Sequence, residues 1–250
     1  MPHFDSGGVK IHYEEYGEGD PVLLLHGFAS NGRINWVSTS WTKTLAEEGR
    51  RVIVMDHRGH GKSEKLHDPD DYSALLMAED ARRLLDHLDI PRADVMGYSM
   101  GARAAAFLAI RHPERVRALI LAGMAASLLT GVAESDAIAD ALEAENAEDI
   151  ASPKARGFRM FAQRAGGDLK ALAACMRAGR TPVDPKDLEK LPMPVLITVG
   201  SRDEIAGPPE PLAAHIPHAQ VAVLPGKDHM NAVGDKGHKQ AVLDFLKTRP

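Results

Sequence analysis

Gly97-Tyr98-Ser99-Met100-Gly101 decides the reading of this chain, because of what stands on either side of it. Ala93-Asp94-Val95-Met96 precedes it, a short apolar run bounded by Pro91 that predicts a buried strand. Ala102 to His112 follows, rich in Ala and Leu with no proline before Pro113, which predicts a helix. A serine between two glycines at a strand-to-helix junction is a nucleophile elbow. The turn is too sharp for side chains beside the serine, and only there does Oγ stand exposed at the end of a sheet. The five letters alone are a weak pattern, since a glycine-rich turn can hold a structural serine; the flanking strand and helix give them weight.

Outward from the elbow, apolar runs of strand length alternate with longer helical patterns, which implies parallel strands joined by crossover helices. Val9 to Tyr16 and Val22 to Leu25 are early strands separated by the turn Gly17-Glu18-Gly19-Asp20. Arg51 to Met55, Ala93 to Met96, Val116 to Leu121, Val195 to Val199 and Val221 to Leu224 follow. Their near-continuous Val, Ile and Leu predict a sheet covered on both faces. Met77, Ala81, Leu84, Leu85 and Leu88 recur at helical spacing, as do Ala241, Val242, Phe245 and Leu246.

The alternation breaks between about Gly123 and Leu191. The chain therefore divides into a core, residues 1–122 and 191–250, and a helical insertion, residues 123–190. The insertion is acidic first (Glu134, Asp136, Asp140, Glu143) and basic later (Arg156, Arg159, Arg164, Arg177, Arg180), which predicts two solvated helix faces with internal pairing. Phe158, Met160, Phe161 and Met176 stand out there as large and apolar. Packing of the insertion onto the core accounts for most of them. Phe158 and Phe161 are the candidates for lining a substrate pocket.

Composition bounds the function. The 250 residues carry a net charge of −5, from 30 basic and 35 acidic side chains, with no block of like charge that would form a nucleic-acid arm. One cysteine, Cys175, excludes an intramolecular disulfide framework and favours a reducing compartment. Met1 to Ser6 lacks the basic and apolar regions of a signal peptide. Ala118 to Ala133, the longest weakly polar stretch, is too short and interrupted to span a bilayer. The expectation is a soluble, cytoplasmic protein without nucleic-acid or membrane partners; oligomeric state is not legible.

A serine hydroxyl is a weak nucleophile and needs a base within hydrogen-bond reach, itself oriented by a third group. In this topology the partners follow in the order serine, acid, histidine. Of the 12 histidines, His229 lies on the loop after the last strand and before the last helix. His26, His57 and His60 precede the serine, and His112, His215, His218 and His238 fall in or beside helices, as surface or structural residues. Asp203, directly after Val195 to Val199, is the leading acid; Glu204 is its nearest rival and Asp228 a weaker one. Acyl transfer also needs donors for the developing oxyanion, assigned to the backbone N–H groups of Met100 and of Phe28, which follows the strand ending at Leu25. No His, Cys and Asp cluster has metal-ligand spacing, and the chemistry requires neither metal nor organic cofactor.

Leu25-His26-Gly27-Phe28, Asp56-His57-Arg58-Gly59-His60-Gly61-Lys62-Ser63, Gly97 to Gly101, Gly200-Ser201-Arg202-Asp203 and Asp228-His229 occur in the order that resembles the α/β-hydrolase superfamily, over nearly the whole chain. The resemblance implies an eight-stranded, mostly parallel sheet flanked by helices, with a helical cap at about residues 123–190. It makes Asp56 to Ser63 a structural turn, and Ser99 separates the chain from the dehalogenase branch, which carries aspartate there. The expected activity is hydrolysis of carboxylic esters of small to medium acyl groups through an acyl-enzyme on Ser99. Enol-lactone hydrolases, carbon–carbon bond hydrolases and cofactor-free perhydrolases share the triad, as does a slow-turnover small-molecule receptor using the same pocket.

Overall fold

The computed structural model describes residues 2–131 and 134–248. Position 1 and positions 249–250 of the predicted core, and positions 132–133 of the predicted insertion and of the weakly polar stretch, lie outside the described residues. The Val-, Ile- and Leu-rich runs form strands β1 (His3–Asp5), β2 (Lys10–Tyr16), β3 (Asp20–Leu25), β4 (Arg50–Met55), β5 (Ala93–Tyr98), β6 (Val116–Ala122), β7 (Val195–Gly200) and β8 (Gln220–Leu224). They make one sheet in the order β1-β2-β4-β3-β5-β6-β7-β8. From β4 across to β8 every neighbouring pair is parallel.

Two features of this sheet depart from the strand reading. β1, three residues long, is too short to show alternation, and it is the eighth strand that no apolar run marks. β1 and β2 pair antiparallel, and so do β2 and β4, so parallel pairing does not hold at this edge. The reason is local: Gly7 and Gly8 (φ 66° and 91°) turn β1 into β2, and Gly17 and Gly19 (68° and 109°) reverse β2 into β3, whereas a parallel return needs a crossover of a dozen or more residues.

The helices are α1 (Trp41–Glu47), α2 (Ala74–His87), α3 (Met100–Arg111), α4 (Ser127–Thr130), α5 (Ser135–Glu143), α6 (Pro153–Arg164), α7 (Leu169–Arg177), α8 (Pro185–Leu188), α9 (Glu210–Ala213) and α10 (Lys236–Thr248). The two-residue period of a strand sends alternate side chains to opposite faces. Leu23, Leu25 and Ile53 accordingly pack with Leu84 and Leu85 of α2 and Ala105 of α3. Val22, Leu24, Val52 and Val54 pack on the other face with Trp41 of α1 and Val242 and Phe245 of α10. Coverage on both faces fails at the outer edge, where Val221 and Val223 of β8 are 43% and 47% exposed.

Between β6 and β7 the described residues hold helices and no strand. Ile138, Leu142, Ala155, Leu172 and Met176 of this segment join the same apolar cluster as the β-sheet residues Leu23 and Leu25. Some of its charges pair internally, Arg177 with Asp140 and Glu143. Others do not face solvent. Arg159 is buried and gives its Nη1 hydrogens to the carbonyls of Ala141, Leu142 and Ala144, the otherwise unpaired end of α5. Of the four large apolar residues, Met176 is buried and Phe158 and Phe161 pack half-buried on the main cluster, while Met160 is 41% exposed.

Candidate active site

The elbow is built by close approach of backbones. A Cβ at Gly97 would lie 2.2 Å from the carbonyl oxygen of Gly101, and one at Gly101 would lie 2.1 Å from that of Leu25. Only glycine fits either position, because α3 crosses directly over the ends of β3 and β5. Ser99 takes φ 53° and ψ −115°, a conformation sparsely populated by residues with a side chain, held by packing around it. Its N–H donates to Ala122 of the adjacent strand at 2.8 Å. Ser99 remains partly exposed, and its Oγ turns toward His229.

His229 sits on a turn after β8. The carboxylate of Asp228 accepts the N–H groups of Met230 and Asn231, each at 2.9 Å, and so shapes the turn itself. Asp203 follows β7, with its side chain shielded from solvent, and accepts N–H groups from Ile205 (3.1 Å) and Ala206 (2.9 Å). Ser99 Oγ lies 2.9 Å from His229 Nε2, and His229 Nδ1 lies 2.9 and 2.8 Å from the two Asp203 oxygens. A carboxylate can only accept, so Nδ1 carries the proton that it donates to Asp203, and Nε2 is the acceptor facing the serine hydroxyl. Ser99, His229 and Asp203 thus form one hydrogen-bonded chain. Glu204 faces solvent, and Asp228 is spent on the turn.

Gly27-Phe28 passes against the serine: a Cβ at Gly27 would stand 3.5 Å from Ser99 Cβ. His26, fully buried, fixes this turn. Its Nε2 accepts the His57 N–H at 3.0 Å, which leaves the proton on Nδ1, donated to the Gly27 carbonyl at 2.8 Å. Burial pushes the His26 pKa down, in keeping with a neutral ring. The Gly27 carbonyl belongs to the same peptide unit as the Phe28 N–H, and the two point in opposite directions. Pinning one aims the other. The Phe28 N–H has no acceptor among the described residues, and Met100 is the first residue of α3, where a helix offers its N–H none. The sequence offers His26 only as a surface or structural residue; the imidazole pair of bonds is its positioning task, and no periodicity announces it.

Asp56 to Ser63 serves as the buttress behind this turn. Asp56 accepts N–H groups from Gly32 (2.7 Å) and Lys62 (2.8 Å) and lies 3.1 Å from His12 Nδ1. Burial alone would raise its pKa, but the His12 bond, the nearby His26 and these N–H groups hold it well below the usual carboxylate range. Arg58 makes a two-point bridge to buried Asp80 of α2 at 2.7 and 2.8 Å. A cleft of about 160 Å³ opens beside Asp56 and His60, and neither Ser99 nor His229 lines it.

The inserted segment reaches the same place. The Phe158 ring of α6 lies 6.0 Å from that of Phe28, and the Arg180 guanidinium lies 5.5 Å over the Phe28 ring. Phe161 is half-buried and packs on the main apolar cluster. Among the described residues no group of His, Cys, Asp and Glu is arranged to hold a metal ion, and no helix is long and apolar enough to cross a membrane.

Residues 20–144, half of the chain, match the family model of the alpha/beta hydrolase fold. This chain belongs to the α/β-hydrolase fold family. Among its relatives, a 2-hydroxymuconate semialdehyde hydrolase of Pseudomonas sp. is 38% identical over 122 residues, which span 48% of this α/β hydrolase and only 42% of that protein. A non-heme chloroperoxidase of Kitasatospora aureofaciens is 28% identical over 96% of each chain. Of solved structures, a thermophilic esterase from Thermogutta terrifontis superposes with a TM-score of 0.76 over 98% of this chain and 96% of its own, at 27% identity.

Proposed function

We propose that this α/β hydrolase cleaves carboxylic esters of small to medium acyl groups through an acyl-enzyme on Ser99. Ser99 Oγ attacks the ester carbonyl while His229 Nε2 takes its proton, and Asp203 holds the imidazole in the tautomer required and stabilises the imidazolium. The Phe28 and Met100 N–H groups receive the negative charge on the carbonyl oxygen. Collapse of the tetrahedral intermediate expels the alcohol, protonated by His229. Water, deprotonated by the same ring, then attacks the acyl carbon and releases the acid and Ser99. The helical segment 123–190 acts as a cap over the site, with Phe158 and Phe161 toward the acyl chain. The substrate is a small molecule, in a cytoplasmic setting.

The observation that carries this reading is the 2.9 Å approach of His229 Nε2 to Ser99 Oγ, with Asp203 behind it at hydrogen-bond distance. Lactone opening, carbon–carbon cleavage beside a ketone and perhydrolysis use the same residues, and relatives bearing semialdehyde hydrolase and chloroperoxidase names keep these as the alternatives. The deciding experiment is turnover of p-nitrophenyl acetate and butyrate by the purified protein and by Ser99→Ala. Sustained turnover that falls by several orders of magnitude in the variant, up to roughly 10⁶-fold, is expected. Labelling by a phosphonate ester should be confined to Ser99. A single burst leaving a stable adduct would instead fit a receptor, and labelling that survives Ser99→Ala would overturn the nucleophile.

A further inference from the structure

Arg180 differs from its basic neighbours in the inserted segment. Arg177 pairs with Asp140 and Glu143, and Arg159 spends its donors on the end of α5. Arg180 has no carboxylate partner among the described residues. Its Nη1 donates to the carbonyls of Cys175 and Gly179, both at 2.8 Å, but Nη2 meets only sulfur, Met100 Sδ and Cys175 Sγ, each at 3.7 Å. Thioether and thiol sulfur are weak acceptors, so part of the five-donor fork stays without a strong one.

The position matters more than the count. The guanidinium stands over the ring of Phe28 and against the side chain of Met100, the two residues whose N–H groups flank Ser99. Arg103 of α3 adds a second positive charge: it is buried and bonded only to the carbonyls of Ser127, Leu128 and Thr181, and its Nε has no partner. Burial, and then the charge of Arg180, push the Arg103 pKa down to about 10. Arg103 and Arg180 both border a cavity of about 10 Å³, room for one water, together with Tyr72, Ser73 and Met100. Two like charges at a shielded seam repel one another, and an anion entering between the cap and Ser99 would relieve that.

We infer that Arg180 is a specificity residue that binds a carboxylate on the acyl half of the substrate, so that the preferred esters are half-esters of dicarboxylic acids. This rests on the serine-hydrolase reading above and names its substrate class. Nη1 is already engaged with the Cys175 and Gly179 carbonyls, so the edge that carries Nε and Nη2 is the one to meet a carboxylate in two-point geometry, and such charge-assisted bonds are about twice as strong as neutral ones.

The test compares esters that differ only in that charge: monoethyl succinate, glutarate and adipate against ethyl butanoate, pentanoate and hexanoate, with acid release followed in a pH-stat. For at least one length the half-ester should have the higher kcat/KM, by about tenfold or more if two charged bonds form. Arg180→Gln should remove that advantage, mainly through KM, with no comparable loss on the neutral ester; Arg180→Lys should keep part of it. Neutral-ester turnover and Tm of each variant report whether the fold survives. Preference for the neutral ester at every length, or an equal loss on both esters in Arg180→Gln, overturns the inference. If no ester of either kind is hydrolysed, the hydrolase reading fails by itself. Calorimetry of Ser99→Ala with glutarate then decides this one: binding that disappears on adding Arg180→Gln upholds it, and no binding overturns it.

Discussion

The Tyr98 hydroxyl donates to the backbone carbonyl of His229 at 2.6 Å, so the residue just before Ser99 holds the loop that carries His229. The two rings lie 5.4 Å apart, and Gly123 fits against the phenol only because it has no Cβ. Burial, and then the charges of Asp203 and Asp228, raise the Tyr98 pKa, which keeps the hydroxyl protonated and able to donate. A 131-residue separation in sequence is closed by one hydrogen bond.

Tyr98→Phe removes that bond and leaves the ring. The net worth of such a bond is about 1 kcal/mol, so kcat should fall by up to about tenfold, with KM and the fold little changed. Steady-state kinetics on p-nitrophenyl butyrate, with a melting curve as control, measure it. An unchanged kcat would show that the His229 loop keeps its position without Tyr98.

Asp203→Asn should be far more damaging than Glu204→Gln or Asp228→Asn. An asparagine presents an N–H to Nδ1 and favours the tautomer whose Nε2 bears the proton, which cannot accept from Ser99; in a comparable triad the loss is about 10⁴-fold in kcat. Asp228→Asn loosens a turn and should cost mainly stability. If the Asp228 variant proved the inactive one, the acid would be misassigned.

Acid should destabilise the fold before carboxylates titrate. His60 and His238 are buried, and burial pushes their pKa values down to about 3 and about 4, while an unfolded chain protonates histidine near 6.5. Between these values the unfolded state binds more protons. Stability is therefore full above about pH 6.5 and declines as pH falls toward 4, with a slope of up to about 1.4 kcal/mol per pH unit for each such histidine. Asp56, held low in the folded state, adds to the loss at still lower pH. Calorimetric Tm should drop steadily from pH 7 to pH 4.5; a flat Tm over that range would mean that these rings are not kept neutral by burial.

Phe158→Ala opens space beside the Phe28 ring. The optimum acyl length should lengthen while short esters are still cleaved, and each methylene is worth about 1–3 kcal/mol in such a pocket. Phe161→Ala is the companion variant. Should both keep the parent chain-length profile and lose only Tm, the two aromatics are packing residues.

Most of the sheet was legible because its cause is local. A run such as Val195 to Val199 can satisfy its apolar side chains only inside, and glycines at 97 and 101 are demanded by a turn whose geometry is written within five residues. The order of serine, acid and histidine could be read for the same reason, since each follows a recognisable strand. The first strand escaped, because three residues carry no period, and so did the reversal of β2, because strand direction depends on the turn that follows it.

By itself, the sequence determined the α/β alternation and the glycine-flanked turn at Ser99, and it placed Asp203 and His229 on loops that follow strands. It could not determine which charges of the inserted segment face water. Arg177 and Arg180 are three residues apart in a basic stretch, yet one pairs on the surface with Asp140 and Glu143 and the other turns inward over Phe28. Nor does any local signal show His26 pinning the Gly27 peptide or Tyr98 holding the His229 loop. These depend on where distant backbone carbonyls come to lie. Hydrophobic periodicity specifies which face is buried, but a hydrogen bond needs its partner within about 3 Å, and only the folded chain fixes that distance.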